Sequence, residues 1–124
     1  MSDLRFSPGH LWVRVEGDAV VLGLTDYFQD QMGDIISLDL PDQGDEVSAS
    51  RRMGEVESES ATSPLQAPLT GEVLDVNGEV LASPDLVNQE PYEAGWLLRV
   101  HLHDASELNE LLSEEEYAEM TTEV

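Results

Sequence analysis

The sequence predicts a β-rich, barrel-like sandwich with short helices, finished by a C-terminal helical hairpin. Up to residue 103, short apolar segments alternate with period two and are cut by Gly, Pro, Asn and Asp turn signals. After it the apolar spacing becomes helical. A chain of 124 residues with 40% apolar side chains suits one domain and is too apolar for a disordered acidic chain.

Taken in order, Leu11 to Val15 alternates Leu/Val with Trp/Arg, Gly17-Asp18 makes a turn, and Ala19 to Leu24 completes a hairpin. Thr25 can cap a short helix from Asp26 to Met32, with Asp26 favoured in the first turn by the helix dipole. Gly33-Asp34 ends it. From Ile35 to Leu40, alternation puts Ile36, Leu38 and Leu40 on one face, and Pro41 to Asp45 is a turn cluster. Val47, Met53 to Ser58, and Val73 to Val76 read as further strands. Ser58 to Ser63 carries no bulky apolar side chain and is expected to be a solvent-facing hairpin tip. Pro64 and Pro68 confine Leu65 to an edge or irregular strand. Asn77-Gly78 and Ser83-Pro84-Asp85 punctuate a connection with room for one helical turn, and Trp96 to Leu102 is the last strand. Asp104 to Glu107 and Ser113 to Glu116 have capping-box spacing. Leu108, Leu111 and Leu112, then Tyr117 and Met120, form the apolar stripe of the terminal helices, with fraying expected towards Val124.

Charge narrows the function. Against 27 Asp and Glu stand five arginines and no lysine, a formal charge of −22. Such a surface cannot displace counterions from a phosphate backbone and is repelled by anionic lipid, so neither nucleic acid nor membrane is an expected partner. It suits either a salty cytosol or a basic docking face on a partner. Without cysteine there is no disulfide, thiolate nucleophile or zinc–thiolate site. Met1 to Arg5 has neither an apolar core nor an Arg-rich amphipathic stretch, so a cytoplasmic location is expected.

No enzymatic motif stands out. There is no Gly-x-Ser-x-Gly elbow, phosphate loop or dinucleotide fingerprint. His101 and His103 share a strand face, but no third ligand at site-like spacing accompanies them, and plain exposed strand histidines are the simpler reading. Glu57/Glu59 could act as an acid–base pair, yet among 27 carboxylates a solvated face is the simpler reading again.

What carries meaning is a series of landmarks in order. His10-Leu11-Trp12 is followed by Gly23-Leu24-Thr25-Asp26 through Gly33-Asp34, then Leu40-Pro41 with Gly44 and Val56-Glu57-Ser58. Ala67-Pro68-Leu69-Thr70-Gly71-Glu72-Val73 comes next, then Pro84-x-Leu86-Val87-Asn88, Pro91-Tyr92-x-x-Gly95-Trp96, and Leu111-Leu112-Ser113 before Glu116-Tyr117. Over nearly its full length the chain resembles the H protein family of the glycine cleavage system. The resemblance implies a lipoyl/biotinyl-type barrel-sandwich hybrid over 1–103, with a C-terminal helical extension over 104–124 packed on it as one structural domain. It also implies a non-enzymatic shuttle. In the family a lipoyl group, amide-linked to a hairpin-tip lysine, carries an aminomethyl group between glycine decarboxylase and aminomethyltransferase, and dihydrolipoamide dehydrogenase reoxidises it.

At the attachment point the resemblance breaks. The family's Glu-Ser-x-Lys-Ala reads Glu57-Ser58-Glu59-Ser60-Ala61, so Ser60 stands at the lysine position, and no lysine exists elsewhere to replace it. A Ser-His-Glu-Trp start, whose Ser and Glu help hold the loaded amine, has Gly9 and Leu11 around His10, and an Asp four residues past the lysine is Pro64. Serine-linked phosphopantetheine fits poorly, since those carriers present the serine at a helix start.

The expected function is therefore an H-protein-like docking or regulatory paralogue in glycine or lipoate metabolism. It is expected to take no cofactor, lipoate having no amine to bind. Candidate partners are glycine decarboxylase, aminomethyltransferase, dihydrolipoamide dehydrogenase or lipoate ligase. The alternative is an aminomethyl-carrying H protein whose lipoyl lysine has been substituted. A third reading, an enzyme using a metal on His101/His103, predicts bound metal.

Overall fold

The computed structural model describes residues 4–122. Part of the sequence at Met1 to Arg5, and the fraying expected at Val124, lie outside those residues. In chain order the elements are β1 (Leu4–Phe6), β2 (Leu11–Glu16), β3 (Ala19–Leu24), α1 (Asp26–Met32), β4 (Ile35–Asp39), β5 (Glu46–Val47), β6 (Arg52–Ser58) and β7 (Thr62–Gln66). They continue with β8 (Gly71–Val76), α2 (Gly78–Ala82), α3 (Leu86–Gln89), β9 (Leu98–Leu102), a 3₁₀ turn (Ala105–Glu110) and α4 (Glu114–Thr122).

Two antiparallel sheets result. One has the order β1-β2-β3-β9-β8-β5 and the other β4-β6-β7. Among the described residues no strand pairing joins them, so the expected barrel-sandwich hybrid is corrected to an open two-sheet sandwich without barrel closure. Alternating strands specify sheets, but closure needs edge strands that pair. Here β5 spans two residues, and β7 contains Pro64, which has no N–H to offer a further strand. The main core lies between the sheets, with Leu11, Val13, Val20, Leu22 and Val73 from one meeting Val56 and Leu65 from the other.

The opposite face of β2 and β3 is covered as well. Trp12, Val21 and Phe6 form a second cluster with Tyr117, joined by Tyr92, Trp96 and Leu112. Trp12 sits over Gly23, where a Cβ would lie 2.5 Å from the indole, so only glycine lets the ring lie flat on β3. This double burial makes β3 a continuous apolar run.

Several expectations are refined. A register shift between Ile35 and Ser37 buries Ile35 and leaves Ile36 half exposed, against simple alternation. β9 begins at Leu98, and Trp96 belongs to the preceding loop. The connection after β8 holds two short helices. The terminal hairpin is instead a 3₁₀ turn and one α-helix, separated by a bridge in which Phe6 N donates to Leu112 O (2.8 Å) and Leu112 N to Phe6 O (2.7 Å). Ser113 and Glu116 form a reciprocal capping box, Ser113 N donating to Glu116 Oε1 and Glu116 N to Ser113 Oγ. Glu107 is drawn away from Asp104 and accepts from Thr70 N (2.7 Å) and Thr70 Oγ1 (3.0 Å). Tyr117 is buried, and Met120 is exposed.

Candidate functional site

The β6–β7 hairpin projects Glu59, Ser60 and Ala61 into solvent. Ser58 makes the turn. Its N–H donates to Ala61 O (2.8 Å), while its buried Oγ accepts from Ser60 N (3.3 Å) and Ala61 N (3.1 Å). A side-chain oxygen so placed replaces the carbonyl that a tight turn otherwise uses, fixing the backbone under Ser60 without contacting the Ser60 side chain. Glu57 faces solvent at the last paired position, opposite Thr62.

Just past the tip, the hairpin's outgoing strand forms one wall of a cleft of about 350 Å³. Ser63, Pro64 and Gln66 face Gly9, His10 and the α1 side chains Tyr27, Phe28, Gln31 and Met32 across it. The α1 wall is held at both ends. Thr25 Oγ1 accepts from Phe28 N (3.1 Å) as N-cap, and Asn88 accepts from Ile35 N (2.9 Å) while donating to Gly33 O (2.9 Å) and Gln29 Oε1 (2.8 Å). His10 lies at the cleft with a left-handed backbone (φ 69°), its ring tilted 31° against Tyr27 with ring centroids 4.8 Å apart. Its Nδ1 is 2.8 Å from Tyr117 Oη. Burial holds the His10 imidazole below its ordinary range and pushes the Tyr117 phenol up to about 12.

Of the residues singled out from sequence, Gly9, His10 and Pro64 line this cleft, and Glu57, Ser58, Glu59, Ser60 and Ala61 make the tip beside it. Leu11 does not join them. It is buried in the main core, and its N–H donates to Ser7 Oγ (3.2 Å). Sequence reasoning missed the α1 wall and Tyr117, 107 positions from its His10 partner; the one local signal was the capped helix after Thr25. His101 and His103 lie with ring centroids 6.4 Å apart, each beside a single carboxylate, Asp18 and Glu46 respectively. Among the described residues no three His, Asp or Glu side chains gather as metal ligands, and no helix is long and apolar enough to cross a membrane.

An apolar wall with a few polar groups at its rim suits an aliphatic arm with a small polar head. The family profile described as Glycine cleavage H-protein matches residues 4–124. The chain belongs to the glycine cleavage H-protein family. It is 46% identical over 121 residues to the glycine cleavage system H protein of Carboxydothermus hydrogenoformans, covering 98% of this chain and 93% of that one. With the H protein of Halalkalibacterium halodurans it shares 46% over 122 residues, covering 98% and 95%. The crystal structure of a glycine cleavage system H protein from Mycobacterium marinum superposes with a TM-score of 0.90 at 33% identity, over 98% of both chains. The family's proteins are carriers, and this member is not an enzyme.

These likenesses correct one expectation. A chain this close to H proteins along almost its whole length is not to be read as a protein without a lipoate cofactor. The fit of that group divides. Hairpin and cleft suit an arm, whereas none of the exposed tip residues Glu59, Ser60 and Ala61 carries an amine to which one could be amide-linked.

Proposed function

We propose that this chain is an H-protein-type carrier module of glycine cleavage, with position 60 as the point from which the arm leaves the fold and serine substituted for the lipoyl lysine. The observation that carries the reading is the adjacency of a rigid, solvent-facing tip and an open cleft, which a swinging arm needs at its two ends. Lipoate, attached there through an amine, would supply the thiol that carries the aminomethyl group. The chain's own part is to fix the turn through Ser58, to offer the Phe28–Met32 wall, and to present the tip to a partner's active site. Glycine decarboxylase, aminomethyltransferase and dihydrolipoamide dehydrogenase are the docking partners in this reading, and lipoate ligase the loading enzyme. The charge of −22 favours basic docking faces, so association weakens as salt rises. Residues 104–124 are read as an extension of the 1–103 module within one domain.

A second reading, a docking or regulatory role in glycine or lipoate metabolism, draws on Gly9, Leu11 and Pro64 departing from the family pattern together with Ser60. One experiment separates the two. Ser60→Lys changes an exposed side chain with no contact in the turn, so the fold is retained. Co-expressed with lipoate ligase, this variant should gain the mass of one lipoyl group, mapped to position 60. A folded variant that stays unmodified contradicts the carrier reading and favours the second.

A further inference from the structure

His10 is fixed more tightly than a cleft-lining loop residue needs to be. Its N–H donates to Ser7 O (3.0 Å), its carbonyl accepts from Thr25 N (3.1 Å), and its ring lies against Tyr27. From the other side comes a short chain of side-chain contacts. Thr25 Oγ1 is 2.7 Å from Tyr117 Oη, which is 2.8 Å from His10 Nδ1. These three residues come from a loop, from the N-cap of α1 and from α4.

The protons of this chain can be counted. Thr25 and Tyr117 own one hydroxyl proton each, and there are two contacts to fill. If Thr25 donates to Tyr117 and Tyr117 donates to Nδ1, both protons are used. If Nδ1–H donates to Tyr117 instead, three protons meet two contacts, and the hydroxyl proton of either Thr25 or Tyr117 is left without an acceptor. Thr25 is fully buried and Tyr117 is buried, so water does not take the spare proton of either. An unpaired buried donor is disfavoured, which leaves the first arrangement. Nδ1 is then an acceptor, and the ring proton sits on Nε2, which has no partner within the described protein.

We infer that Tyr117 is a positioning residue that sets the tautomer of His10 from the C-terminal helix, so that His10 presents Nε2–H as a hydrogen-bond donor to an oxygen or sulfur acceptor in the cleft. The tautomer follows from the contacts alone. Identifying the acceptor as part of a carried arm rests on the carrier reading above.

Long-range ¹H–¹⁵N NMR of the histidine rings reads this out in the intact protein at neutral pH. His10 should show an acceptor-type Nδ1 and a protonated Nε2, the other tautomer being rarer by about tenfold or more. Tyr117→Phe keeps the stacking on Phe6 (ring centroids 4.7 Å apart) but removes the hydroxyl, and should bring the two tautomers to comparable populations. A wild-type ring protonated on Nδ1 overturns the inference without any variant. Unchanged nitrogen shifts in a folded Tyr117→Phe protein overturn it too. Free lipoamide added to the wild type should move the Nε2 resonance. Its failure to do so, with the tautomer as expected, removes the cleft acceptor and leaves the relay standing.

Discussion

Trp12→Ala should destabilise the protein by about 3–5 kcal/mol, a large part of the roughly 5–15 kcal/mol that keeps a domain of this size folded. Trp12 is fully buried on the outer face of β2, and removing its indole opens a cavity among Phe6, Val21 and Tyr117. Two further losses follow. Nε1–H no longer donates to Pro91 O (2.8 Å), and Arg14, its Cζ 5.0 Å from the ring centre, loses the face it lies over. Urea unfolding checks this: the midpoint should fall strongly with an unchanged slope, and Trp12→Phe should recover most of the loss. The damage should spread to the cleft, because the same cluster seats Tyr117, the partner of His10.

The second large effect is expected at Gly54 in β6. A Cβ there would stand 2.2 Å from the carbonyl oxygen of Asp39 in β4, where carbon and oxygen normally stay about 3.3 Å or more apart. The obstacle is backbone, so no rotamer change relieves it, and β4 must part from β6. Gly54→Ala should therefore cost about 3 kcal/mol, at the upper end for overpacking, and strip hydrogen-exchange protection from the β4–β6 ladder. Since β6 carries the hairpin, the tip should loosen as well. Gly78→Ala, at the first position of α2, is the matched control: its Cβ would meet nothing within 4 Å, and stability should hold or rise by up to about 1 kcal/mol, the propensity difference.

Sequence legibility follows the range of the interaction that decides each feature. The β2–β3 hairpin, the Thr25 cap and the Ser113/Glu116 box are set by neighbours a few positions apart, and all are found where the spacing puts them. Ile36 turns outward because a bulge shifts the register, which alternation cannot register. β1 is three residues long and is held by β2 and by the bridge to Leu112, so nothing local announces it. Barrel closure is not legible in this way, because period-two patterning names the faces of strands and says nothing about whether edges meet. Within the site, the tip was legible from its missing apolar side chains, whereas the α1 wall and the Thr25–Tyr117–His10 chain arise from contacts between distant segments. The absence of lysine is legible outright, since it is a matter of composition alone.

Reconstitution of glycine cleavage tests the central claim most directly. Lipoylated Ser60→Lys protein, combined with glycine decarboxylase, aminomethyltransferase and dihydrolipoamide dehydrogenase, should release CO₂ from glycine in proportion to the amount of carrier added. A folded, fully lipoylated variant that leaves glycine untouched would contradict the account.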